Sequence, residues 1–286
     1  MKKAQYKRFT RSRLGNFFFF FFLILAGLFS ILPIVYSLVT SFKPLDELLI
    51  FPPRFWVNKP TILNYTAIPR LLSSLQVPVS RYLFNSVFLA VCTTVLHVIV
   101  ASMAAFIISK MKLKGTATLF LIVQFSLMYN ATTLAIPQYI IFTELKIVNT
   151  YWVYILPYLQ SSMGVFLIKQ FIDDAIPEPL LEAATIDGAN TLRIYWSIVM
   201  PCIKPAWLTL VLFSFQSTWA FTSGATIFDE KLKTLPAIMA QISSGGLARS
   251  GSAMAAAMLL AIPPVVVYLI TQSNVIETMS SAGIKE

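Results

Sequence analysis

Six stretches of the chain contain no Asp, Glu, Lys or Arg, and their lengths decide what it can fold into. They run Phe17–Val39, Tyr82–Ile108, Gly115–Thr143, Ile147–Ile168, Pro205–Phe228 and Ser250–Ile276, or 23, 27, 29, 22, 24 and 27 residues. Each exceeds the roughly 20 residues that a helix needs to cross about 30 Å of hydrocarbon. Lipid offers the backbone no hydrogen-bond partners, so stretches this long are read as helices; the strands of a barrel are shorter and alternate in polarity. Together they take up 152 of the 286 residues. The reading is an all-α, polytopic membrane protein with six transmembrane helices.

Charge is scarce and clustered. The chain is 57% hydrophobic and 12% charged, against about 45–50% and about 25% in ordinary soluble domains, which excludes a normal cytosolic globule. Its 22 Lys and Arg against 12 Asp and Glu give a formal net charge of +10. Because the basic residues sit in short clusters between uncharged runs, they read as a topology signal at a membrane surface and not as a nucleic-acid face. Lys2, Lys3, Lys7, Arg8, Arg11 and Arg13 precede six consecutive phenylalanines, Phe17 to Phe22. A cleaved signal carries an apolar core of only about 7–15 residues, so this run is expected to stay as the first span. With that tail in the cytoplasm, 13 basic residues fall on the inner side and 9 on the outer, and the bias is strongest around the first two spans, where orientation is set. Both termini are therefore expected inside.

The expected organisation is a basic cytoplasmic tail (1–16), a membrane domain (17–276) and a cytoplasmic C-terminal tail (277–286). Spans are placed at about 17–39, 82–108, 115–141, 149–168, 205–223 and 252–273, with a cytoplasmic loop at 169–204. The first external segment, Thr40 to Arg81, holds six prolines and is read as loop and short helices. The second, Asp229 to Arg249, contains Ser243-Ser244-Gly245-Gly246, read as a flexible turn able to reach into a docked protein partner, with a plain connecting loop as the alternative. Cys92 and Cys202 are expected to be free, buried thiols.

Enzymatic patterns are missing from the sequence. Its single histidine, His97, has no Asp or Glu nearby in sequence, so it reads as a packed or water-facing side chain before it reads as a metal ligand or triad member. No glycine is followed by lysine, so a phosphate-binding loop of the Walker type is absent. All twelve acidic residues lie outside the six uncharged runs. Carriers driven by protons or sodium commonly place ionisable groups within the bundle, which disfavours that class, although hydroxyls and carbonyls also hold sodium.

Five of the twelve acids fall between positions 173 and 187. Pro177 and Pro179 can open a helix and Gly188 can close it, which predicts about two and a half turns from Pro179 to Asp187. Ala183, Ala184, Gly188 and Ala189 would let another backbone approach, and Leu180, Leu181 and Ile186 offer apolar contact. Such a helix serves equally as a docking knob or as an interfacial helix with a solvated acidic face. Gly188 is expected to take a positive φ.

At these residues a resemblance emerges. Glu182-Ala183-Ala184, then Gly188, Ile198, Met200 and Pro201, resembles the E-A-A-x3-G-x9-I-x-L-P loop of bacterial ABC importer permeases, with Met200 where leucine is usual. Phe84-Asn85-Ser86 and Asn149-Thr150-Tyr151 look like the carbohydrate, MalG-like branch of these binding-protein-dependent inner membrane components. Ser281-Ala282-Gly283-Ile284-Lys285 resembles that branch's tail, although Thr278-Met279 departs from it.

The resemblance implies the type I ABC importer permease fold in a bacterial inner membrane. It implies a second, MalF-like permease subunit, two cytoplasmic ABC ATPases, an extracytoplasmic solute-binding protein and a carbohydrate substrate. Glu182, Ala183, Ala184, Asp187 and Gly188 would form the helix that couples to the ATPase. ATP and magnesium would be bound by the ATPase, and this chain would bind no cofactor or metal itself. Candidate substrate contacts are Gln124, Tyr129, Asn130, Gln160, Gln216 and Trp219, with Gln138 and Trp207 also in spans; each could equally be helix-packing glue. A six-span secondary carrier or channel not driven by ATP is the alternative, and an intramembrane enzyme is a third class without a visible constellation.

Overall fold

The computed structural model describes residues 13–73, 77–111, 113–129, 131–222, 226–246 and 249–283. Among them the chain is α-helical, with short 3-10 and π segments and no strand. Three helices are long and apolar enough to cross a membrane: Leu14–Ser41, Val79–Lys110 and Ser250–Val275. They belong to α1 (Arg13–Ser41), α4 (Val79–Lys110) and α13 (Ser250–Gly283). A fourth candidate is a bent pair, α10 (Thr191–Cys202) and α11 (Lys204–Trp219), whose axes meet at 82°.

The other uncharged runs are interrupted. Gly115–Thr143 forms α5 (Thr116–Ser126) and α6 (Ala131–Glu144), each shorter than the roughly 20 residues of a crossing. The break follows three i→i+3 bonds, from the N–H groups of Leu127, Met128 and Tyr129 to Gln124, Phe125 and Ser126. These tighten the end of α5 and terminate it. Ile147–Ile168 forms α7 (Trp152–Leu159) and α8 (Ser162–Ala175). Here Ser161 takes extended φ/ψ and its Oγ accepts the Gly164 N–H at 3.3 Å, capping α8. Backbone breaks at membrane depth are tolerated where they are covered by protein or line a cavity.

Helix α4 is the central post, packed by α7, α8 and α11, while α11 and α1 both pack on α13. In the apolar window of Leu14–Ser41 no residue is buried, against 44% of the window in Val79–Lys110. The phenylalanines of α1 thus face outward from this chain. Near the Lys110 end of α4 lies one apolar cluster, built from Ala105, Phe106, Ile172, Ile176, Tyr195 and Val199. Near the Val79 end lies another, in which Tyr82 meets Ile68, Leu72, Ile238 and Ala255.

At the Val79 end, α2 (Leu45–Leu48) and α3 (Leu63–Ser73) fold over α13. The segment read as a plain loop, Asp229 to Arg249, instead holds α12 (Leu235–Ser243), with Pro236, Ile238, Met239 and Ile242 buried. Only its second half resembles the expected turn, with Gly246 at φ +73°. The expectation of buried thiols also fails. Cys92 is half-buried and Cys202 is exposed, because the neighbouring Ile203 takes the inward position and is 0% exposed.

Candidate functional site

At the Lys110 end, α9 (Glu178–Ile186) projects from the apolar cluster. Its bounds differ by one residue from those read in the sequence. Pro177, in extended backbone, precedes it, and Pro179 sits in the first turn. The helix ends in a Schellman motif: the Ala189 N–H donates to Ala184 C=O and the Gly188 N–H to Thr185 C=O, both at 3.0 Å. Gly188 has φ +81°, a left-handed conformation that L side chains adopt reluctantly. A Cβ added there would meet nothing within 4 Å. Glycine is required at this position by backbone conformation and not by crowding within the chain.

The five residues carried over from the resemblance divide by face. Ala184 is buried and, with Leu181 and Ala189, packs inward. Glu182, Ala183, Asp187 and Gly188 are exposed. Beside them Ile186 is 85% exposed, an apolar side chain with no partner in its own chain's core.

From α9 the connection to the bundle is stiff. Asn190 caps α10, accepting the Arg193 N–H at 2.8 Å. Tyr195, opening a π turn (Tyr195–Val199), hydrogen-bonds Ser102 of α4 at 2.6 Å. Trp207 of α11 donates its indole N–H to the Met200 carbonyl at 3.0 Å, bracing the bend around Ile203. Trp207 is therefore a structural brace.

Residues of α4, α7, α8 and α11 line a half-open cavity of about 340 Å³. His97, Tyr158, Ser161, Leu210, Ser214 and Gln216 are among its lining residues. His97 and Ser214 are each 3% exposed, and neither ring nitrogen nor the serine hydroxyl has a hydrogen-bond partner. Tyr158 donates to the Ser217 carbonyl at 3.1 Å. A Cβ on Gly164 would lie 2.7 Å from His97 Nε2 and 3.1 Å from Leu210 Cδ1, so the missing side chain makes room for the imidazole.

Of the sequence-predicted substrate contacts, Gln216 lines this cavity and Gln160 stands beside Ser161 at the α7–α8 break. Gln124 is exposed on α5 and Tyr129 just beyond it, while the hydroxyls of Ser126 and Ser162 join the end of α5 to the start of α8. Gln138 is half-buried on α6; Asn130 lies outside the described residues. Trp219 is elsewhere: 5% exposed, it donates its indole N–H to Leu260 C=O at 3.0 Å and lines a separate cavity of about 410 Å³ between α11, α12 and α13. Ser214 and Tyr158, not singled out in the sequence, also line this cavity, as does His97, read from the sequence as packed or water-facing. Their signal was present as polar residues inside uncharged runs.

The two short motifs quoted for the branch converge at the Val79 end. Asn85 Nδ2 donates to the carbonyls of Lys231 and Lys233 at 2.8 and 2.9 Å, and its Oδ1 accepts from Tyr151 Oη at 2.9 Å. Ser86 Oγ accepts the Leu235 N–H at 2.7 Å. Asn149, at φ +62°, accepts the N–H groups of Phe228 and Asp229 at 2.9 and 2.8 Å. Asn85, Ser86, Asn149 and Tyr151 thus clasp one segment, 226–235, to α4.

The family described as binding-protein-dependent transport system inner membrane component matches residues 97–280. The chain is 28% identical over 268 residues to the sulfoquinovosyl glycerol transport system permease protein of Agrobacterium fabrum, covering 92% of this chain and 90% of that one. It is 30% identical over 205 residues to the melibiose/raffinose/stachyose import permease protein of Bacillus subtilis, covering 70% and 74%. Among solved structures it is similar, with TM-score 0.75 and 20% identity, to a bacterial ABC transporter involved in the import of the acidic polysaccharide alginate. That likeness covers 92% of this chain and 98% of the other and carries the fold. The relatives are permease components of sugar ABC transporters and not enzymes.

Proposed function

We propose, because the chain belongs to the binding-protein-dependent transport system inner membrane component family, that it is the permease subunit of an ATP-driven carbohydrate importer. It crosses the bacterial inner membrane six times, with both termini in the cytoplasm. Two of those crossings are pairs of short helices, α5 with α6 and α7 with α8. A second, MalF-like permease completes the translocation path and two ABC ATPases bind ATP and magnesium on the cytoplasmic side. A solute-binding protein delivers substrate at the Val79 end.

The observation that carries this reading is the division of α9. Ala184 fixes it to its own bundle while Glu182, Ala183, Asp187, Gly188 and Ile186 face away. A short, capped helix with an inward anchor and an outward small and apolar face suits a groove on another protein. In this role it transmits ATPase closure to α10 and α11 and so switches the bundle between inward-facing and outward-facing packings. The names of the relatives support a saccharide as cargo. The expected substrate path includes Gln124, Tyr129, Asn130, Gln160, Gln216 and Trp219, and the cavity between α4 and α11 supports Gln216 most directly.

Ile186→Asp tests the docking surface. A charge placed on an apolar contact is expected to lower ATPase recovery in detergent copurification at least tenfold. The sister permease should still copurify, because Ile186 touches no part of the core. Undiminished recovery of the ATPase with the aspartate variant would refute docking through α9.

A further inference from the structure

The stretch from α10 into its joint with α11 has two unlike sides. Ile194, Tyr195, Val199 and Ile203 are buried, whereas Leu192, Arg193, Trp196, Ser197, Pro201 and Lys204 are exposed. The exposed positions recur every three to four residues and so form one stripe. Two of its members are large and apolar, Leu192 at 58% exposed and Trp196 at 49%. Among the described residues, the guanidinium of Arg193, the indole N–H of Trp196 and the ammonium of Lys204 have no hydrogen-bond or ionic partner in the chain. The indoles of Trp207 and Trp219, by contrast, both donate to backbone carbonyls.

Geometry sets the level of this stripe. With α11 as a crossing helix, the 82° bend lays α10 nearly in the plane of the membrane. Its depth follows from Tyr195, whose hydroxyl bonds Ser102 of α4 at 2.6 Å. Ser102 lies seven to eight residues beyond the midpoint of α4, roughly 11 Å at about 1.5 Å per residue, against about 15 Å for half of the hydrocarbon. Trp196, with its ring centroid 5.0 Å from that of Tyr195, therefore stands near the inner boundary, where tryptophan is enriched. Charge separates α10 from its neighbour. The stripe holds two cations and no acid, whereas α9, on the other side of Gly188, exposes Glu182 and Asp187. A small, acidic face suits a protein groove; a basic, aromatic and apolar stripe lying in the membrane plane matches a phospholipid leaflet. Arg and Lys can lay their stems along acyl chains and raise their charged ends to the headgroups.

We infer that the outward stripe of α10 is a docking surface for anionic phospholipid of the inner leaflet, with Arg193 and Lys204 holding headgroup phosphate and Trp196 seated among the first carbons of the acyl chains. The inference rests on the transport reading for the side of the membrane that it names. It gives α10 a partner different from that of α9.

The test uses the assembled transporter in nanodiscs of equal phosphatidylcholine and phosphatidylglycerol, with bromine on the acyl chains of one lipid or of the other. Bromine quenches indole emission on contact, and subtracting the emission of Trp196→Phe from that of wild type isolates Trp196 from every other tryptophan in the complex. Brominated phosphatidylglycerol is expected to quench Trp196 about threefold more strongly than brominated phosphatidylcholine, well within what two basic residues at a membrane surface supply. The double variant Arg193→Gln/Lys204→Gln, measured with and without Trp196, should be quenched equally by both lipids, whereas Arg193→Lys should keep the preference. Copurification with the sister permease confirms that each variant has folded. Trp196 emission that neither lipid quenches would mean that protein covers the stripe, and would overturn the surface. Equal quenching in wild type, or an undiminished preference in the double variant, would overturn it too. Loss of the ATPase but not of the sister permease from the double variant would assign the stripe to the ATPase and overturn the lipid surface. Preferential quenching by the anionic lipid in a complex with no ATP-driven saccharide uptake would uphold the surface and count against the transport reading instead.

Discussion

Gly188→Val is expected to abolish ATP-driven uptake, by a factor of at least 10, while the transporter still assembles in the membrane. The residue sits at φ +81° with open space around it, so the new side chain meets no clash within its own chain. Its cost is conformational: about 1–2 kcal/mol for a left-handed L residue, and more for a β-branched one, which is an outlier in this region. The Schellman closure of α9 then gives way, and the exposed face formed by Glu182, Ala183 and Asp187 loses its fixed orientation. The position should also rank its substituents. Asparagine tolerates the left-handed region and should retain much of the uptake, alanine less and valine least. ATP hydrolysis in the valine variant should no longer respond to the substrate-loaded binding protein. Full stimulation together with full uptake in Gly188→Val would exclude coupling through this turn.

Asn85→Leu should release the segment 226–235 from α4. The asparagine is 0% exposed and makes three hydrogen bonds, two to the carbonyls of Lys231 and Lys233 and one from Tyr151. Leucine matches its size roughly but supplies no partner for those groups. Each buried polar group left unpaired costs about 1–3 kcal/mol, so the combined effect is several kcal/mol even if water enters to satisfy one carbonyl. Hydrogen exchange at Lys231–Leu235 should speed by at least 100-fold, and the purified transporter should melt at lower temperature. Loss of protection confined to Asn85 itself would show that the clasp is held by Ser86 and Asn149 instead. Ser86→Ala, which removes one acceptor from the Leu235 N–H, should give a smaller effect at the same segment.

Apolarity along the chain was plain to read, but helical continuity was not. Hydrophobic composition reports what lipid or a core will accept, whereas continuity depends on single backbone bonds. The end of α5 turns on the i→i+3 bonds at Leu127, Met128 and Tyr129, and the start of α8 on the conformation of Ser161. The first break carries no proline or glycine signal, and the second follows Pro157 by only three residues, a cue that the uncharged run overrode in the reading. Where such signals exist the boundaries are legible: Pro177, Pro179 and Gly188 delimit α9 to within a residue. Which alanine of that helix faces inward is a different matter. Ala183 and Ala184 are chemically alike, and only the cluster containing Tyr195 and Ile176 decides that Ala184 is the buried one.

Helix α12 was hidden for a related reason. Thr234 to Ser243 carries an apolar period, but the adjacent Ser-Gly run suggested turn chemistry for the whole segment. His97 was dismissed because it has no sequence neighbours of catalytic type. Its surroundings come from residues 61 to 117 positions away, Tyr158, Gly164 and Ser214, which only the tertiary arrangement brings to it.

The 82° angle between α10 and α11 gives the molecule a bell crank. Two arms at nearly a right angle share almost no common direction, so a displacement along one reaches the other chiefly as rotation about the joint. In the proposed coupling Ile203 would be the pivot, with the bond from Trp207 to Met200 bracing the joint. A thrust delivered to α9 and passed along α10 would therefore arrive at α11 as a sideways swing. Ser214 and Gln216 ride on that arm, so the same stroke would widen or narrow the chamber they line.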